Sequence, residues 1–234
     1  MNVIGRILNR VLSFFGLKLS RKNNSTFQYK FSKDFDYSLV MIGAHNGSKS
    51  IQLVHDALKF GKVCLVEPVP YLFKLLSDTH SKTEGIHLIN KCITPTRTDT
   101  VDFYAISLDS NKVHDYGDQL GSLNPYHAKN HDNRFEKFVT KIKVPTLTTT
   151  QLLDELNCSS VNFLFIDTEG HDAQILLTFP FNLIKPKMIL FEHKHADGTH
   201  IVGDNFVSII KFLNSHGYQI RILDSENAIA TLGK

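Results

Sequence analysis

The chain has 234 residues, a length suited to one α/β domain with a sizeable core rather than to two domains. Apolar residues make up 42% and charged residues 21%, which excludes wholesale disorder, and a formal charge of +3 without a basic-aromatic stripe gives no reason to expect a nucleic-acid partner. No apolar run is long enough to span a bilayer, and the scattered Cys64, Cys92 and Cys158 show neither metal-ligand spacing nor a disulfide framework, which fits a reducing, cytoplasmic setting.

In the N-terminal stretch, Ile4, Ile7, Leu8, Val11, Leu12 and Phe15 fall at helical spacing, with Arg6, Arg10 and Lys18 on the other side or at the end. This predicts an amphipathic helix. It lacks the uninterrupted apolar stretch and small-residue cleavage site of a signal peptide. The first expectation is a helix packed on the domain or on a partner chain, as in an oligomer. The competing one is peripheral contact with anionic lipid, which would suit an enzyme of membrane-linked glycans. Residues 19–25 (LSRKNNS) read as a linker. Residues 1–25 are therefore set apart as helix and linker, and residues 26–234 as a single domain.

From residue 39 onward, short apolar runs alternate with helical patterns. Strands are predicted at 39–42, 63–66, 86–89, 101–106, 139–144, 161–166 and 188–191, with helices at 48–60, 70–76, 152–156, 173–177 and 205–215. The threonines before 152 offer an N-cap, and Gly217 ends the last helix. Residues 218–223 and 228–232 read as two strands about the turn 224–227. Such alternation predicts a Rossmann-like, mainly parallel sheet covered by helices on both faces, with an antiparallel C-terminal edge hairpin. Residues 108–136 have no clear period and are rich in Asn, Asp and His. They predict a long loop, the natural place for a substrate lid.

The run LVMIGAHNG at 39–47 delivers a strand into Gly43, then Ala44, His45 and Asn46, then Gly47 and a helix. Glycines at such a turn allow a tight bend and close backbone approach to a ligand, and the helix start presents free N–H groups. The pattern is G-x-x-x-G, and His45 would crowd a pyrophosphate lying on the turn, which disfavours a dinucleotide. S-adenosylmethionine carries no phosphate and needs only the turn and an acid for its ribose. The second strand ends in that acid, Glu67, twenty positions after Gly47, and Pro68 then turns the chain away. Glu67 can accept hydrogen bonds from both ribose hydroxyls. After the third strand, Asn90, Lys91, Cys92 and Ile93 stand where an adenine would be bordered. The run NFLFIDTEGHD at 162–172 ends a buried strand in Asp167, Glu169, His171 and Asp172, and such clusters at strand tips mark candidate sites.

With IGAHNG, VEP at 66–68, IDTEGHD and ILFEH at 189–193 in this order and spacing, the chain resembles the FkbM-type methyltransferase family over residues 39–192. The resemblance implies a class I methyltransferase fold, S-adenosylmethionine as donor, and as acceptor a hydroxyl on a sugar, glycan or other small natural product. It also implies an acid two places before the first glycine of the turn, where this chain has Met41. His45 or Asn46 could substitute, or activity could be lost. Asp167 is the first choice for general base or acceptor-orienting residue and a further contact to the donor. His171 is second, and Glu169 and Glu192 are placed to orient substrate or support the loop. Asp167, Glu169 and Glu192 offer hard oxygen ligands, and His193, His195 and His200 offer imidazoles. No spacing defines a metal site, however, so a solvated histidine-rich loop and no metal are expected. Two other functions compete: a non-catalytic binding protein on a methyltransferase scaffold, and a dinucleotide-dependent oxidoreductase.

Overall fold

The computed structural model describes residues 29–80, 82–196 and 203–233. The expected N-terminal helix, the linker at 19–25 and His200 lie outside the described residues. In chain order the elements are β1 (Tyr37–Ile42), α1 (Ile51–Leu58), β2 (Lys62–Val66), α2 (Pro70–His80), β3 (Ile86–Ile89), β4 (Cys92–Ile93), β5 (Thr100–Ile106), α3 (His127–His131), β6 (Val139–Leu147), α4 (Thr149–Glu155), β7 (Val161–Ile166), α5 (Asp172–Leu177), β8 (Met188–Glu192), α6 (Asp204–Ser215), β9 (Tyr218–Ile222) and β10 (Asn227–Leu232).

Seven strands form one sheet in the order β3-β2-β1-β7-β8-β10-β9. All neighbours are parallel up to β8, and β10 runs antiparallel to both β8 and β9. The predicted C-terminal hairpin is therefore present, but it is folded inward. Its second strand lies inside the sheet and its first strand forms the edge. The strand order reverses between β1 and β7, and the crevice at the carboxyl ends of these strands is where open α/β sheets take ligands.

Every residue of β1 and β8 is buried, because helices cover both faces of the sheet. Side chains alternate between the two layers. Val40, Ile42, Leu164 and Ile166 pack with Leu152, Ile175 and Ile209 on one face. Leu39, Met41, Leu65 and Phe163 pack with Val54, Ala57 and Leu76 on the other. The N-terminus of α4 carries the cap expected of its threonines. Thr148 Oγ1 accepts from Gln151 N at 3.2 Å, and Gln151 Oε1 accepts from Thr148 N at 2.9 Å.

Two features depart from the expected outline. First, β4, β6 and β5 make a separate three-stranded sheet beside the main one. Second, the expected long loop is folded. It holds 3-10 turns at Leu108–Lys112, Gly117–Gln119 and Asn133–Phe138 together with α3. Leu120, Ala128 and Phe135 of this segment close with Ile106 on a small apolar core of their own. Its polar composition hid so few apolar residues that no period could show. Tyr104 and Ser122 exchange backbone hydrogen bonds that tie the segment to β5. Among the described residues no helix is long and apolar enough to cross a membrane.

Candidate active site

At the tip of β1 the chain bends sharply against β2 and β7. Gly43 N and Ala44 N both donate to Val66 O at 2.9 Å, and Asp167 N donates to Ile42 O at 2.9 Å. Gly43 has φ +90°, and a Cβ there would fall 1.7 Å from Asp167 O, so only glycine lets the two strand tips meet. His45 also takes a left-handed conformation, φ 52°, which turns its N–H onto Glu67 Oε2 at 2.8 Å. Val69 N donates to Glu67 Oε1 at 2.9 Å. Glu67 thus braces the glycine turn from the tip of β2. Burial pushes its carboxyl up to about 7, although the two N–H bonds favour the ionised form. Asn90 fixes the same tip from behind, donating from Nδ2 to Glu67 O at 2.7 Å and Pro68 O at 3.1 Å.

One cavity brings together the residues singled out for donor binding, except Asn90, which stands behind the tip of β2. The turn from Gly43 through Ala44, His45 and Asn46 to Gly47 forms one wall, and Glu67, Pro68, Lys91 and Cys92 form another. Asp167, Glu169 and His171 line its third side. Sequence reasoning missed the remainder of the lining. Leu72 and Phe103 add apolar surface from α2 and β5, and Asp118, Gln119 and Leu123 reach in from the folded segment. Asp118 is buried, and His45 Nε2 lies 3.3 Å from its backbone oxygen and 3.6 Å from its Oδ2. No sequence signal ties position 118 to the turn, because the contact exists only once the segment folds over the pocket.

This donor set fits an adenosyl sulfonium. A carboxylate stands with lone pairs to spare beyond its two N–H bonds, and apolar surface is available for a flat base. Asp118 and Asp167 add acids to the cavity wall, which suits a cationic ligand.

The tip of β7 carries a dense acidic group. Asp167 projects into the open cavity and is accessible to solvent there. Surrounding protein and the negative charges of Glu169 and Asp172 hold its carboxyl well above the usual range. Burial, followed by Glu169, Asp167 and Asp172, likewise raises Glu192. Asp172 serves the backbone. Its Oδ1 accepts from Thr168 N at 2.9 Å and its Oδ2 from Glu192 N at 3.0 Å, stapling the β7 tip to β8. Glu192 does not line the cavity but stands behind it, its Oε1 3.8 Å from His195 Nε2. His171 is half-buried, and burial lowers its pKa.

The expected solvated histidine loop is corrected. His193 and His195 are 6% and 7% exposed, because β8 carries the chain inward and α6 and the folded segment close over it. His195 Nε2 lies 3.6 Å from Glu169 Oε2, and His127 Nε2 lies 2.8 Å from the same oxygen. Burial lowers His127 to about 4.

Counted within the main sheet alone, the strand order is 3-2-1-4-5-7-6, with the seventh strand reversed. With a ligand pocket across the tips of its first, second and fourth strands, this is the architecture of a class I methyltransferase. The Methyltransferase FkbM domain matches residues 42–220, and the chain belongs to that family, whose methyl donor is S-adenosylmethionine. Membership sets aside the dinucleotide-dependent oxidoreductase.

No curated protein sequence matches the chain. Among solved structures it is similar to a fibrillarin pre-rRNA processing protein of Methanococcus jannaschii at 16% identity, covering 88% of this chain and 70% of that one, with a TM-score of 0.43. It is similar to the Aeropyrum pernix fibrillarin in complex with natively bound S-adenosyl-L-methionine, at 11% identity, 87% and 69% coverage, and a TM-score of 0.44. It is also similar to a precorrin-6y C5,15-methyltransferase of Geobacter metallireducens, at 13% identity, 93% and 94% coverage, and a TM-score of 0.44. The family assignment rests on the sequence match, not on these likenesses.

Proposed function

We propose that the chain transfers a methyl group from S-adenosylmethionine to a hydroxyl oxygen of a sugar, glycan or other natural product. The observation that carries this is Asp167, an acid open to the cavity at the meeting point of β1 and β7. A hydroxyl is a poor nucleophile, and a carboxylate placed at the cavity can accept its proton. When bound, S-adenosylmethionine supplies a methyl carbon made electrophilic by a cationic sulfur. Glu67 accepts from the ribose hydroxyls with the lone pairs its two backbone bonds leave over. The turn from Gly43 to Gly47 takes the methionine part, and Pro68, Lys91 and Cys92 border the adenine. Asp167 would orient the acceptor hydroxyl and take its proton as the oxygen–carbon bond forms and the methyl carbon–sulfur bond breaks, with S-adenosylhomocysteine as the leaving group. Glu169 and His171 support the acceptor side. Most of the rate gain comes from alignment.

Calorimetry and turnover assays over a panel of hydroxylated acceptors test this. Glu67→Ala should weaken donor binding. Asp167→Ala should keep donor binding and lose turnover by a factor on the order of 10²–10⁴. An Asp167→Ala enzyme that methylates as fast as the parent would falsify the role given to that residue.

The competing function, a binding protein on the same scaffold, draws on Met41, which leaves the end of β1 without an acid. Asp118 brings an acid to the same cavity from the folded segment, beside His45, and so answers that loss. Donor binding without S-adenosylhomocysteine formation against any acceptor of the panel would favour the binding protein.

A further inference from the structure

Behind the acceptor side of the cavity, three segments distant in sequence bring three imidazoles and a carboxylate to one point. His127 and His131 stand on one face of α3 at i and i+4. Glu169 follows the tip of β7, and His195 follows β8. The rings of His127 and His131 are 4.9 Å apart between centroids, those of His127 and His195 4.7 Å, and those of His131 and His195 5.0 Å. One ligand atom from each of the four residues lies within 4.8 Å of all the others, and among the described residues no other group of histidines, cysteines and acids does this. We propose that His127, His131, Glu169 and His195 bind one divalent transition-metal ion of the zinc class.

The donor chemistry selects the ion. Imidazoles suit zinc and its neighbours, whereas magnesium and calcium take sets of oxygens. The spacing agrees. Zinc–nitrogen distances of about 2.0–2.1 Å in a tetrahedron put ligand atoms about 3.3 Å apart. The distances from Glu169 Oε2 to His127 and His195, 2.8 and 3.6 Å, bracket that value. The three imidazoles pack against one another, and a single cation would take a lone pair from each. The side chains of His127 and His195 are 6% and 4% exposed, so such an ion would sit away from bulk solvent.

Four protein ligands make a closed site of the structural kind. Its place gives it a task. It pins α3, and with it the segment that carries Asp118 over the cavity, to the tips of β7 and β8. Glu169 belongs both to this site and to the cavity wall, so the ion also fixes the acceptor side. None of this depends on which acceptor is methylated, and metal binding is measured without one.

The test uses the full chain purified without a polyhistidine tag. Elemental analysis should find one zinc per chain. After chelation, titration with zinc in a calorimeter should restore one equivalent, and magnesium should not compete. Cobalt added to the stripped wild-type chain should give the intense visible bands of four-coordinate cobalt. His131→Ala and His195→Ala should each bind zinc at least about a hundredfold more weakly, beyond the 10–100-fold that outer partners of a metal site command, with far-ultraviolet circular dichroism as the control for folding. If a variant fails to fold, the wild-type stoichiometry and cobalt spectrum decide alone. Failure of the stripped wild type to take up one equivalent, or unchanged affinity in both folded variants, overturns the proposal.

Discussion

At the scale of single residues, Glu67 braces two backbone N–H groups, and the proposed ribose contact would give the same side chain a second task. Its carboxylate holds the His45 and Val69 N–H groups, yet burial raises its pKa from 4.5 to about 7. A carboxyl raised in the folded state contributes stability that is complete below its unfolded pKa and lost as pH climbs through the folded one. The apo protein should therefore lose thermal stability between pH 4.5 and about 7 through this group. Donor affinity should move the opposite way over the same interval, because the ionised form is the better acceptor for ribose hydroxyls. Glu67→Gln should flatten both trends. A wild-type donor affinity that stays level across that window would sink the assignment. The interval from Gly47 to Glu67 and the strand ends around them made this residue legible in the sequence. Its two backbone partners were not, since they depend on His45 entering a left-handed conformation. The pair H-x-x-x-H at 127 and 131 was on the page as well. It carried no meaning until a helix and two distant strand tips met there.

At the scale of elements, apolar runs told strands from helices wherever burial is complete. The run at 161–166 is β7 without a residue's difference, because both its faces are covered. Helix ends were harder, and α2 runs on to His80 where a stop at 76 was expected. The start of α4 was legible because a threonine before the apolar pattern carries its own reason, a cap. Thr148→Ala removes one arm of the reciprocal cap on a helix whose Leu152 and Leu153 are buried. It should cost about 0.5–2 kcal/mol in urea denaturation, and an unchanged midpoint would show the cap to be idle. The separate sheet of β4, β5 and β6 was not legible. Each strand could be read alone, but pairing between them follows from long-range packing that no local pattern records.

For the molecule as a whole, alternation of strands and helices was enough to name the architecture, and the motif spacing pointed to residues that the fold gathers around one cavity. What escaped was the segment between β5 and β6, because its apolar residues are few and its core is shared with Ile106. That core makes the segment a unit. Phe135 is fully buried in it, and Phe135→Ala should remove about 3–5 kcal/mol of packing there. Amide exchange should quicken across residues 108–138 while the central strands keep their protection. Equal loss of protection in both would mean that the segment and the sheet open together.

The inward fold of the last hairpin also fixes an order of events during synthesis. Residues 218–222 leave the ribosome before residues 227–232, yet among the described strands β9 pairs only with β10. Until the later segment emerges, the earlier one has no strand to pair with and the flank of β8 lies bare to any other nascent chain. A single late strand therefore decides when the edge of the sheet passes from β8 to β9.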